Sequence, residues 1–293
     1  VSPAQLEIRA GEGADVVLRG ATVLDPVAGI DARHDVVIRA GEIAELAAPG
    51  AAVANGLEEI DATGLHAFPA FFDPHVHLRT PGQEHKEDIE TGTRSAAAGG
   101  YCGTLAMANT EPTVSTPADV EALRADARAA ASVRVGFLAT VTRAMEGKEL
   151  TEMASLRDAG AAGFSDDGLP IRSARLLRRA LQYQRLCGGT IALHEEDPDL
   201  SGTGVMHEGP VSAALGLEGI PSVSESTMIA RDAALAAYES ARIHVQHLSA
   251  AESVEVVRAA KAAGVQISAE ASPHHLCLTD EEVRGLDPHR FKM

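Results

Sequence analysis

The 293-residue sequence has no tryptophan, and aromatic residues make up only 3% of it. Its core must therefore come from the plentiful Ala, Leu, Val and Ile, in helices laid on strands. Cysteine is scarce as well. Cys102, Cys187 and Cys277 are odd in number and lack C-x-x-C spacing, which argues against a disulfide framework and reads as buried, reduced cytosolic thiols. Positive charge is short by a wide margin, with 25 Lys and Arg against 42 Asp and Glu and a formal net charge of -17. Nucleic acid and anionic membrane both need a basic surface and are excluded as partners. An anionic substrate would need its positive charge supplied locally, by a metal or a placed Arg. No apolar run approaches the roughly 18 residues of a membrane helix. The amino end "VSPAQLEIRAGEG" lacks the basic, apolar, small-residue order of a signal, so the chain reads as soluble and cytoplasmic. Missing too are a G-x-G-x-x-G after the first strand of an α/β unit and any G-x-x-x-x-G-K-[ST], which removes the usual support for a nucleotide-binding open sheet.

What is present falls into two textures. Residues 1–68 read as a small β-sandwich domain. "DVVLRGATVLD" (15–25) and "HDVVIRAGEIAEL" (34–46) are short β-rich runs, the second broken by an Ala-Gly turn, and "LEEIDATGLHAF" (57–68) repeats the pattern. From residue 69 a helix, a Gly and a short apolar strand recur, as in "RSAAAGGYCGTLAM" (94–107) and "RAAKAAGVQISAE" (258–270). Thr116-Pro117 opens one helix, and Ser249 with Glu252 and Thr279 with Glu282 have capping-box spacing. The count is about seven strands, each followed by a helical stretch, which predicts a parallel sheet with right-handed crossovers. The fold class is α/β, and a (β/α)8 TIM barrel short of one strand fits 69–293 better than a doubly wound sheet.

A barrel collects its chemistry at the carboxyl ends of its strands. In "FFDPHVHLR" (71–79) an apolar run places His75, His77 and Arg79 at every second position, hence on one face of a strand. Two buried imidazoles cost several kcal/mol unless satisfied. The later strand ends bring Asn109-Thr110, Asp166-Asp167, His194, His247 and Ser272-Pro273-His274-His275. Histidines and carboxylates at one rim are the donor set of a divalent metal. His34, His66, His85, His207 and His289 fall outside this register. His244, three residues before His247, should face the opposite side of its strand.

The blocks "DPHVHLRTPGQEHKEDIETGTRSAAAGG", "MANTEP", "GFSDDG", "ALHEED", "HEGP", "HVQHLSAAESVEVVRAAKAAG" and "AEASPHHL" together resemble dihydroorotases of the class I bacterial type, in the amidohydrolase superfamily. The resemblance runs over nearly the whole chain. It implies a metal-dependent (β/α)8 barrel with a small β-sandwich, and reversible interconversion of dihydroorotate and N-carbamoyl-L-aspartate in pyrimidine biosynthesis. It also implies two zinc ions. His75 and His77 match ligands of one, His194 and His247 those of the other. Asp167, with Asp166 as runner-up, matches the bridging carboxylate that many relatives replace with a modified Lys. Arg79 and Asn109 match the residues that hold the substrate carboxylate, and a planar, permanently charged guanidinium suits that task. A small-molecule substrate, a homo-oligomer and contact with aspartate transcarbamoylase are the implied partners.

Thr80 stands where the family commonly has an acidic residue, and Ala108 where it has Pro. The resemblance further implies an "NPPLR" block and a strand-eight "DHAP" block after "FKM", the latter carrying the catalytic Asp. That residue is expected beyond residue 293, and the sequence is expected to be a piece of a longer protein. The alternatives are a related cyclic amidohydrolase (hydantoinase, dihydropyrimidinase or allantoinase) and a non-catalytic partner of aspartate transcarbamoylase.

Overall fold

The computed structural model describes residues 5–11 and 13–284. Strands β1 (Val16–Asp25), β2 (Ile30–Arg39) and β3 (Glu42–Ala47) form an antiparallel meander. β4 (Glu58–Asp61) and β5 (His66–Ala67) both join β1 in parallel, completing a five-stranded sheet. Ala40 and Gly41 have φ of 51° and 79°, the left-handed pair a tight hairpin turn requires, and they occupy the Ala-Gly break expected from the sequence. Val17, Val37, Ala47 and Ala52 make the buried face of the sheet.

The second sheet is parallel throughout. Its strands β6 (Phe71–Val76), β7 (Tyr101–Ala106), β8 (Arg134–Ala139), β9 (Gly163–Ser165) and β10 (Ile191–Leu193) alternate with helices α1 (Ile89–Ala98), α2 (Pro117–Ala130), α3 (Met153–Asp158) and α4 (Ala174–Cys187). An excursion follows, through α5 (Pro198–Ser201), β11 (Met206–His207), α6 (Pro210–Leu215) and β12 (Gly219–Ile220). Its β11–β12 pair was not foreseen, since strands two residues long leave no periodicity to read. Helix α7 (Val223–Glu239), β13 (Arg242–Val245), α8 (Ala251–Ala262), β14 (Gln266–Ala269) and α9 (Pro273–Cys277) complete the series. The order β6-β7-β8-β9-β10-β13-β14 puts each of the seven strands beside its predecessor, as in the wall of a (β/α) barrel.

Period-two alternation divides the residues of this wall between two cores. Val135, Phe137, Phe164, Ile191, Leu193, Ile243 and Val245 face the helices. Leu105, Met107, Leu138, Ala162 and Ala192 face inward, joined by Leu6. Val76 and Leu78 belong with the outer core, which turns His75 and His77 to the inner face. Residues 5–9 lie against this sheet and not the smaller one. Gln5 Nε2 donates to Ala161 O, Glu7 pairs with Val135, and Arg9 N–H donates to Ala131 O.

Helix ends follow local chemistry. Thr116 and Asp119 form a reciprocal capping box ahead of Pro117. Helix α3 gives way to Gly160 with φ of 104°, a conformation costly for any residue with a Cβ. The expected boxes at Ser249 and Thr279 do not form. Ser249 donates its hydroxyl and N–H to Glu225 instead, and α8 starts from Ala250 without a side-chain cap. Thr279 precedes a 3₁₀ turn and makes no capping bond. The cysteines are free, but Cys102, at the start of β7, and Cys277, the last residue of α9, are exposed, contrary to expectation.

Candidate metal centre

Asp167 lies at the middle of the inner rim, just past β9. His75 Nε2 is 3.4 Å from its Oδ1 and His77 Nε2 is 3.5 Å from its Oδ2. From the other side, His194 Nδ1 and His247 Nε2 each stand 3.8 Å from Oδ1. Two groups among the described residues could thus hold a metal ion, His75–His77–Asp167 and Asp167–His194–His247, and Asp167 is common to both. Ligand atoms at about 2.0–2.1 Å from a tetrahedral ion lie about 3.3–3.5 Å apart. The first group has that spacing to its carboxylate. The second is slightly wider there but narrower between its imidazoles, with His194 Nδ1 and His247 Nε2 2.9 Å apart. Nitrogen and carboxylate donors grouped in this way fit a divalent metal ion.

Charge is arranged to the same end. Burial would raise the pKa of Asp167, but hydrogen bonds from His247 and His75 and the charges of His75 and His77 hold it well below the usual carboxylate range. Burial lowers His77, and burial together with His247 lowers His194. Both therefore favour the neutral form that offers a lone pair. His75 resists its own burial, because Asp167 and Glu270 push it up to about 9.

Neighbours orient these side chains. His77 Nδ1 is 3.1 Å from Asn109 Oδ1, while Asn109 Nδ2 donates to Asp167 Oδ2 at 3.0 Å. One amide thus fixes a ring and a carboxylate together. Asp166 turns the other way, accepting the N–H groups of Val141 and Thr142 and the Thr142 hydroxyl. Arg79 follows β6 with φ of 58°, a conformation rare for a residue with a side chain. Its charge lowers the pKa of His77, and among the described residues its guanidinium has no carboxylate partner.

Sequence reasoning missed two inward groups, Glu270 and Gln246. Glu270, just past β14, holds His75 Nδ1 at 2.5 Å and His244 Nε2 at 2.9 Å. Gln246 Nε2 is 3.4 Å from His75 Nδ1. The period-two register of "QISAE" was the signal for Glu270, since Ser268 and Glu270 share a face. The expectation that His244 and His247 face opposite ways is overturned. His247 has φ of 36°, which breaks the alternation and brings both rings to the inner side. His274 and His275 join neither metal group. They open α9, where Ser272 Oγ lies 3.0 Å from His275 Nδ1. His34 bonds Ala47 O, His207 lies exposed on β11, and His289 lies outside the described residues.

A family model described as "Dihydro-orotase-like" matches residues 66–253. Among curated proteins, the chain is 46% identical over 272 residues to a dihydroorotase of Pelotomaculum thermopropionicum, covering 93% of this chain and 63% of that protein. It is 45% identical over 273 residues to a dihydroorotase of Geobacter sp. strain M21, with 93% and 64% covered. The chain therefore spans a little under two thirds of the length of the curated relatives it matches. Among solved structures it resembles L-hydantoinase (dihydropyrimidinase) from Arthrobacter aurescens, with a TM-score of 0.77 at 22% identity over 92% of this chain and 61% of that one. D-hydantoinase from a Bacillus sp. AR9 gives 0.72 at 24% over 93% and 60%. Likeness at that identity is one of fold, an α/β barrel.

Proposed function

The chain belongs to the dihydro-orotase-like family, and from that premise we propose that it carries the metal centre and substrate anchor of a dihydroorotase, which interconverts dihydroorotate and N-carbamoyl-L-aspartate. The observation that carries the reading is Asp167 standing between two histidine pairs at 3.4–3.8 Å. His75, His77 and Asp167 would hold one zinc ion, and Asp167, His194 and His247 a second. Zinc so held lowers the pKa of water toward neutrality and polarises a carbonyl.

The protein's own groups do the rest. Asn109 keeps His77 in the tautomer with its proton on Nδ1 and Nε2 free, and holds Asp167 in place. Arg79, without a carboxylate partner of its own among the described residues, offers a bidentate fork to the carboxylate of dihydroorotate and so orients the ring amide toward the centre. In a protein of formal charge -17, that local positive charge is what admits an acidic substrate.

The alternative, a hydantoinase or dihydropyrimidinase, would act on rings that lack this carboxylate. Calorimetric titration of the zinc-loaded chain separates them. Dihydroorotate should bind at least about tenfold more tightly than dihydrouracil, and Arg79→Gln should erase most of the difference, equivalent to about 1.4 kcal/mol or more. Equal binding of the two rings by the unaltered chain would overturn the dihydroorotase reading in favour of the alternative.

A further inference from the structure

We propose that Glu270, braced by His244 and Ser268, is a positioning residue that fixes the orientation and tautomer of the ligand His75. The inference rests on the reading of His75 as a metal ligand. It concerns the other side of that ring, where no metal group lies.

A neutral imidazole carries one N–H and one lone pair. His75 directs Nε2 at Asp167 Oδ1, 3.4 Å away. If that nitrogen is to face a cation, the proton must sit on Nδ1, and Nδ1 then needs an acceptor. Glu270 Oε1 stands 2.5 Å from it. The Gln246 amide near the same atom presents its NH2 group at 3.4 Å and is engaged by Met107 Sδ and Ser165 Oγ. An NH2 group cannot take the proton of Nδ1, so Glu270 is the acceptor.

The carboxylate is itself clamped. His244 Nε2 lies 2.9 Å from its second oxygen, and His244 Nδ1 lies 2.8 Å from Ser268 Oγ. The His247 N–H reaches Oε1 at 3.4 Å. The backbone of Glu270 is tied on both sides, its N–H donating to Val245 O and its carbonyl accepting from Leu248 N–H. The side chains of His75, Glu270 and His244 are each only 13–15% exposed. A carboxylate so enclosed is costly unless its oxygens are engaged, and here both are. The chain Ser268–His244–Glu270–His75 therefore runs from β14 across β13 to β6, linking the last strand of the sheet to the first. It also explains a histidine at position 244, whose register neighbour on the inner face is Ala192 and which belongs to neither metal group.

The test is made on the full 293-residue chain with zinc as the probe. Zinc affinity is measured by competition with a chromophoric chelator for the unaltered protein, Glu270→Gln and Glu270→Leu, with circular dichroism to verify the fold. Loss of a carboxylate that orients a ligand costs about 10–100-fold in metal affinity. Glu270→Leu should show a loss of that size, and Glu270→Gln, whose amide oxygen still accepts from Nδ1, a smaller one. Ring ¹⁵N–¹H correlation spectra of the unaltered, zinc-loaded protein supply a readout that needs no variant. They should place the His75 proton on Nδ1 and the metal on Nε2. The reverse assignment, or a folded Glu270→Leu with unchanged zinc affinity, would overturn the proposal. An unaltered chain that binds no zinc would overturn the metal-centre reading, and this inference with it.

Discussion

Asp166 and Asp167 are adjacent in sequence and point to opposite partners. Asp166 gathers backbone N–H groups from the loop after β8, whereas Asp167 faces imidazoles. The turn sequence alone could not divide these tasks, since either carboxylate can cap or ligate. Asp35 shows the structural use of a buried carboxylate in the small sheet. It accepts from Gly20 N–H at 2.9 Å, Arg19 Nη1 at 2.8 Å, Gly50 N–H at 2.9 Å and Ala52 N–H at 3.3 Å. Burial acts to raise its pKa, but these bonds hold it below the ordinary value. Asp35→Ala leaves three N–H groups without their acceptor and takes from Arg19 one of its two carboxylate partners, Glu59 remaining, and should cost about 3 kcal/mol in denaturant unfolding at neutral pH. Because the folded pKa is depressed, the contribution is complete above the unfolded value of about 4 and is lost as pH falls through the folded one. The gap between the unaltered protein and the variant should therefore close in acid. A gap that stays constant down to pH 2 would assign the effect to packing.

At the scale of elements, the wall of the barrel was legible because a helix, a Gly and a short apolar strand recur along the chain. His75 and His77 could be placed on one face because they alternate with the apolar Val76 and Leu78, and Thr116-Pro117 marked the start of α2. The Ser249 box was misread because a tertiary partner, Glu225, won its hydroxyl. His244 and His247 were misread because a left-handed residue interrupts the strand period. Neither event leaves a local trace in sequence. The inner core has little spare room. A Cβ at Gly136 on β8 would lie 2.7 Å from Leu105 Cδ2 and 2.9 Å from Leu6 Cδ2. Gly136→Val should destabilise the protein by about 1–3 kcal/mol through overpacking. Pairing it with Leu6→Ala should recover part of the loss in thermal denaturation, since Leu6 reaches the same space. Failure of Leu6→Ala to relieve the strain would argue that residues 5–9 do not pack there.

Across the whole molecule, seven successive strands bring residues from positions 75 to 270 to one rim. The long, strongly acidic chain thereby builds one place where four imidazoles and a deeply ionised carboxylate converge beside a cation, Arg79. Family-specific blocks made that convergence visible in the sequence, while the pairing of Glu270 with His75 emerged only from the fold, because no spacing links position 75 to position 270. Among the described residues no helix is long and apolar enough to cross a membrane. Asp167 is the carboxylate common to both candidate metal groups. The most direct test is zinc content by elemental analysis after dialysis of the purified chain, beside Asp167→Ala and Asp166→Asn. The unaltered protein and Asp166→Asn should retain zinc in equal amounts, and Asp167→Ala should lose it from both groups. Retention of full zinc by a folded Asp167→Ala would contradict the account.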